Sequence, residues 1–338
     1  MENGSAKFVR MDDGRHIAYR ELGCSQRDSP LRSMIALHGL LSSRFGAMPG
    51  VREEVLIEYG VRLIAIDRPG YGQSDPHPSQ TFRSTCKDIV AVADALHLGK
   101  RFWLHGYSMG GAFCWAAARY IPDRVEGIAM WCPVGNMWWK GITKYERKMM
   151  LSCYSKMDTV LTYLCKLSPF LFIKWYSRIA CALLDPHVDL TAGLSEADKQ
   201  CMLQPGSSEL MHRDRRESLR KYKGFGMAKD FELLNKGWEF EIYEVGEMFK
   251  RKIHIWQGDE DRLVPVTLQR WVQKQLPGSV ELHELQGEGH VSLFVSTNLD
   301  RLTLHALFGG RRQDTSSPLN ETFSASYHTK LPCSNGEK

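Results

Sequence analysis

The apolar residues of the chain fall first into short runs divided by turn signals. Residues 7–11 and 16–22 flank Asp12-Asp13-Gly14, which predicts a hairpin of two strands around a tight turn. Two further apolar runs, 34–37 and 61–66, end at His38-Gly39 and at Asp67-Arg68-Pro69-Gly70, with the helix-compatible segment 51–59 between them. Continuous apolar strands joined through helices predict a parallel sheet covered on both faces. The same alternation continues along the chain. Phe82, Cys86, Ile89, Val90, Ala93 and Leu96 recur at helical spacing ahead of a strand-like run at 101–104. Residues 109–120 then read as a helix stopped by Pro122, and 125–132 as another strand.

After that strand the alternation lapses, and residues 135–250 predict a largely helical insertion. Within it, Ser195-Glu196-Ala197-Asp198 has the form of a capping box, and the charged run 213–223 reads as a solvated helix face. The most apolar stretch, 160–184, is interrupted by Lys166, Pro169, Lys174 and Arg178. It fails as a spanning helix and predicts buried cap helices, with contact to a membrane surface as the lesser reading. Alternation resumes with a strand at 252–256, a helix at 266–276, a strand at 279–285 and a last amphipathic helix at 291–307. Residues 311–338 are polar, rich in Ser, Thr and Asn, and read as a disordered tail. The division expected is core 1–134, helical cap 135–250, core 251–310 and tail 311–338. No repeat of solenoid or propeller period interrupts it.

Composition narrows the class. With 338 residues, 43% hydrophobic and 25% charged, the chain has room for one large α/β domain carrying an insertion or for two small domains, and composition alone does not choose between them. A net charge of +5, with scattered Lys and Arg, gives no footprint for nucleic acid. Nine cysteines, an odd number, show neither CxxC pairs nor the Cys and His spacing of a zinc site, so no metal is expected and a reduced, cytoplasmic chain is. Residues 1–10 lack the apolar core of a signal peptide.

Candidate chemistry sits at the ends of the strand-like runs. Gly106-Tyr107-Ser108-Met109-Gly110 is a G-x-S-x-G sequence between a strand and a helix rich in Gly and Ala, the context in which a sharp turn exposes a nucleophilic serine. A serine hydroxyl needs a base, and the base needs an acid to hold its tautomer. His290, in Gly287-Glu288-Gly289-His290 after the last strand, is the base candidate; His283, inside that strand, reads as an ordinary packed or exposed histidine. The loop from Gly258 to Pro265 offers Asp259, Glu260 and Asp261. Asp261 is preferred by its chain order between Ser108 and His290, whereas Asp259 and Glu260 read as turn or solvent carboxylates. His38-Gly39-Leu40 suits an oxyanion loop, with the Leu40 and Met109 amides as donors and His38 in a structural role. Met137-Trp138-Trp139 and the aromatic segment 170–176 are read as the cap's own core ahead of an acyl pocket.

Leu37-His38-Gly39, the segment from Asp67 to Asp75, the Gly106 to Gly111 turn, Gly258 to Pro265 and Gly289-His290 together resemble the α/β-hydrolase superfamily over residues 7 to 308. In detail, Tyr120-Ile121-Pro122 and the stretch from Trp256 to Asp261 resemble soluble plant hydrolase-like proteins. The resemblance implies a doubly wound, mostly parallel eight-stranded sheet with a helical cap, and ester hydrolysis through an acyl-serine without a cofactor. Its partner would be a small-molecule ester. Relatives of the haloalkane dehalogenase and epoxide hydrolase type use an aspartate where Ser108 stands, which sets those activities aside. Plant hormone receptors of this fold have the same Ser, Asp and His set, so a receptor with little turnover is the alternative, and lyase or acyl-transfer chemistry on the same residues a third.

Overall fold

Eight of the segments become strands: β1 (Lys7–Arg10), β2 (His16–Gly23), β3 (Arg32–Leu37), β4 (Val61–Ile66), β5 (Phe102–Tyr107), β6 (Val125–Trp131), β7 (Ile253–Gly258) and β8 (Val280–Leu285). The structure is a computed structural model that describes residues 6–25, 32–152, 193–235, 237–294 and 298–309. The strands form one sheet in the order β1-β2-β4-β3-β5-β6-β7-β8. The hairpin β1-β2 and the β2-β4 pair are antiparallel; every other pair is parallel.

Period-2 alternation sorts the strand side chains into two cores. Ile35, Leu37, Ile64, Ile66, Leu104, Ile128 and Ile255 pack on one face of the sheet, and Met34, Ala36, Leu63, Ala65, Ala129 and Trp131 on the other. Both sets are apolar because both faces are covered. The first face takes α2 (Phe82–Ala95), α3 (Met109–Tyr120) and α9 (Val266–Gln275), through Phe82, Phe113 and Trp271 among others. The second takes α1 (Glu53–Glu58) and α10 (Leu299–Phe308), through Val55, Leu56, Leu299 and Leu304. Helix α2 starts on a reciprocal capping box between Thr81 and Ser84.

Between β6 and β7 the described residues are mainly helical: α4 (Lys144–Leu151), α5 (Glu196–Met202), α6 (Ser207–Ser218), α7 (Phe225–Asn235) and α8 (Ile242–Met248). Trp139 is buried among Trp115 of α3, Trp238 and Trp271 of α9, as part of the core on the first face of the sheet and not of a separate cap core. Trp138 is half-buried under the Arg147 guanidinium. The apolar stretch 160–184, including the aromatic segment 170–176, and the tail 311–338 lie outside the described residues. Among those described, no helix is long and apolar enough to cross a membrane.

Several local expectations are corrected. The 101–104 strand continues to Tyr107, so it runs directly into the serine turn. The helix expected at 291–307 is broken into a short 3-10 turn, Ser292–Phe294, and α10. At the start of the 3-10 turn, the Val291 and Ser292 amides bond the Asp198 carboxylate. With that carboxylate engaged there, the capping box at Ser195 is half-formed. Ser195 Oγ accepts the Asp198 amide at 3.2 Å, while the Asp198 side chain turns away to the 290–292 loop. The run 213–223 is not uniformly solvated, because Asp214 and Glu217 are buried and bonded to core loops.

Candidate active site

The turn between β5 and α3 is set by steric limits. A Cβ on Gly106 would meet Cys114 Sγ at 2.6 Å, and one on Gly110 would collide with the Leu37 carbonyl, so only glycine lets strand and helix approach so closely. Between them Ser108 adopts φ 52° and ψ −117°, a conformation that costs roughly 1–3 kcal/mol and persists only where the surroundings impose it. Three backbone bonds impose it here: the Ser108 amide donates to Trp131 O, and Ser108 O accepts from the Gly111 and Val134 amides. The serine side chain is left half-buried at the carboxyl edge of the sheet.

Asp261 and His290 meet directly. His290 Nδ1 lies 2.8 Å from Asp261 Oδ2. The same oxygen accepts from Gln257 Nε2 at 2.8 Å, and Oδ1 accepts the Leu263 and Val264 amides, each at 2.8 Å. Burial would raise the Asp261 pKa, but the facing imidazole and the donated hydrogen bonds outweigh it and hold the carboxyl below its ordinary range. Burial would likewise lower His290, yet Asp261, with a further contribution from Asp198, raises it. The two directions agree on an ionised Asp261 carboxylate accepting a hydrogen bond from the Nδ1 side of the imidazole. Asp259 instead accepts the Gly287 amide at 2.7 Å, and Glu260 is exposed. Cys132, at the end of β6, lies against Asp261, and burial with that negative neighbour pushes its thiol well above the ordinary value.

The serine turn is tied to the histidine loop through Tyr107, whose hydroxyl donates to His290 O at 3.1 Å and whose ring lies 5.4 Å from the imidazole. No hydrogen bond joins Ser108 Oγ to His290 among the described residues. The loop after β3 presses on the serine: a Cβ on Gly39 would sit 3.1 Å from Ser108 Cβ. Arg68 Nη2 donates to Gly39 O at 3.0 Å and His38 Nδ1 lies 2.8 Å from it. Because a trans peptide is planar, fixing the Gly39 carbonyl also fixes the Leu40 N–H on the opposite side. The Met109 amide is the first of α3 and has no carbonyl one turn back in the helix. His38 Nε2 accepts the Arg68 amide at 3.0 Å, and burial, then the Arg68 charge, drives its pKa well down, which makes it a neutral brace.

A family model described as the alpha/beta hydrolase fold matches residues 33–297. The chain belongs to the alpha/beta hydrolase family. It is 24% identical over 269 residues to the uncharacterized hydrolase YugF of Bacillus subtilis, covering 77% of this chain and 84% of that protein. In fold, this alpha/beta hydrolase is similar to a bromoperoxidase from Bacillus anthracis, with TM-score 0.62 and 16% identity over 90% of this chain and 100% of that one. It is also similar to the esterase RhEst1 from a Rhodococcus species, with TM-score 0.58 and 19% identity over 90% and 99% of the two chains.

What sequence reasoning missed in this alpha/beta hydrolase is that three successive helices of the insertion each send a buried carboxylate to one loop of the sheet edge. Asp198 of α5 accepts the amides of His290, Val291 and Ser292. Asp214 of α6 accepts Ser42 Oγ at 2.5 Å and the Ser43 amide at 3.0 Å, just past Leu40. Asp230 of α7 pairs with Arg68 at 2.6 and 2.8 Å and accepts the Tyr71 hydroxyl at 2.6 Å. Glu217 adds a fourth contact, through Arg44 to Asp67. The signal available in the sequence was only acidic residues on helices, which solvent explains equally well.

Proposed function

We propose that this alpha/beta hydrolase cleaves carboxylic esters through an acyl-serine formed on Ser108. The observation that carries the reading is the buried Asp261–His290 pair, 2.8 Å apart, on loops tied to a serine held at positive φ. In this reaction His290 Nε2 takes the Ser108 proton as Oγ attacks the ester carbonyl, while Nδ1–H stays bonded to Asp261. The Leu40 and Met109 amides hold the oxyanion of the tetrahedral intermediate. Collapse expels the alcohol, which takes the proton from His290. Water, deprotonated by the same nitrogen, then releases the acid and restores the serine. Hydrogen bonds of this kind are often open before substrate arrives, so the free Ser108 Oγ is compatible with the scheme.

The partner is accordingly a small ester. The test is hydrolysis of p-nitrophenyl esters of increasing acyl length by the wild type and by Ser108→Ala. The reading expects turnover with a pre-steady-state burst of nitrophenol in the wild type and neither in the variant. Folded wild type that binds such esters without turning them over would favour the receptor-like alternative.

A further inference from the structure

Strands β7 and β8 are in parallel register, with His254 opposite Glu281 and Trp256 opposite His283. Alternation places these four side chains on one face of the sheet, β8 being its last strand. The three that can ligate a metal converge. His254 Nδ1 lies 3.2 Å from His283 Nε2, and the two Glu281 oxygens lie 3.8 Å from one nitrogen each. Stacking fixes both rings: His283 lies 4.6 Å from Trp256 at 15° between planes, and 5.5 Å from His254 at 15°.

We propose that His254, Glu281 and His283 form a binding site for a divalent transition-metal cation of the zinc class. Zinc takes imidazole nitrogens at about 2.0–2.1 Å with tetrahedral angles, which sets neighbouring donor nitrogens about 3.3 Å apart. The two imidazoles already stand at that separation. Each Glu281 oxygen faces a different ring at 3.8 Å, so the carboxylate must close by roughly half an ångström or more to bring one oxygen onto a cation held by both nitrogens. The Glu281 side chain is half-exposed and can do so. The bound cation clamps the edge strand β8, which leads to His290, onto β7, which leads to Asp261. Spacing along the chain does not disclose the site, because its donors come from two strands and meet only through register.

The test is titration of the full-length protein with zinc chloride against a chromophoric chelator, with thermal melts beside it. One equivalent should bind with micromolar affinity and raise Tm by a few degrees, by mass action on the folded state. His254→Ala and His283→Ala should each weaken binding at least tenfold. The exposed substitution Glu281→Gln should weaken it without disturbing the metal-free melt. Cobalt(II) should give a d–d spectrum lacking a thiolate charge-transfer band. No stoichiometric binding, or binding that survives both histidine variants, overturns the proposal. So does a thiolate band that disappears in Cys132→Ser, because it would place the metal beside Asp261 and His290, whose donor atoms also cluster with Cys132.

Discussion

Asp198, on an insertion helix, caps the loop that carries His290: its carboxylate accepts the His290, Val291 and Ser292 amides at 3.2, 2.6 and 2.9 Å. The contact acts twice. It fixes where the imidazole starts, and its charge helps raise the His290 pKa. Asp198→Asn should therefore lower stability by about 1.5–3 kcal/mol, the range for hydrogen bonds to a charged group. It should also move the pH profile. In the proposed mechanism the base works in its neutral form, so kcat/KM should rise as pH passes the His290 pKa, and removing a nearby negative charge lowers that pKa. The acid limb should shift to lower pH in Asp198→Asn; a limb that stays in place would mean the carboxylate is only a structural cap.

Asp261→Asn should lower kcat by about 10³–10⁴-fold with the fold retained, because an amide facing Nδ1 selects the wrong tautomer. Asp259→Asn and Glu260→Gln should lie near wild type, as neither carboxylate bonds the imidazole. Assays on one activated ester, with melts run in parallel, separate the cases. A collapse in Asp259→Asn beside a normal Asp261→Asn would reverse the assignment.

These residues were legible because they sit where strands end. The short runs 34–37 and 61–66, each ending at a turn signal, suit buried strands, and G-x-S-x-G between a strand and a helix suits a sharp turn that exposes the serine. Chain order then singled out Asp261 from three carboxylates on one loop. What stayed hidden depends on contacts between distant segments. Asp198, Asp214 and Asp230 lie on helices where acidic residues are commonplace, and only packing shows them buried. The Asp198 bonds to the 290–292 loop were unreadable for the same reason, since their two ends lie about ninety residues apart in the chain.

Asp214 supplies a pH test of the insertion's grip. Burial, opposed by the Ser42 and Ser43 bonds, raises its pKa to about 6, above the unfolded value. The folded state then binds more protons than the unfolded chain between about pH 4 and pH 6, so this group's contribution to stability falls as pH rises through that window. Asp214→Asn has no such proton to lose. Its stability relative to wild type should rise by up to about 3 kcal/mol between pH 4 and pH 8. Denaturant unfolding of both proteins at several pH values measures this, and parallel curves would show that Asp214 does not titrate there.

Covalent capture of Ser108 tests the central claim most directly. The full-length protein, incubated at neutral pH with a fluorophosphonate and digested, is read by peptide mass spectrometry. An activated serine beside an oxyanion site should give one phosphonyl adduct, on Ser108, which is absent after prior denaturation and absent in Ser108→Ala. Folded wild type that takes up no phosphonate, or takes it on another residue with Ser108 unmodified, would contradict the account.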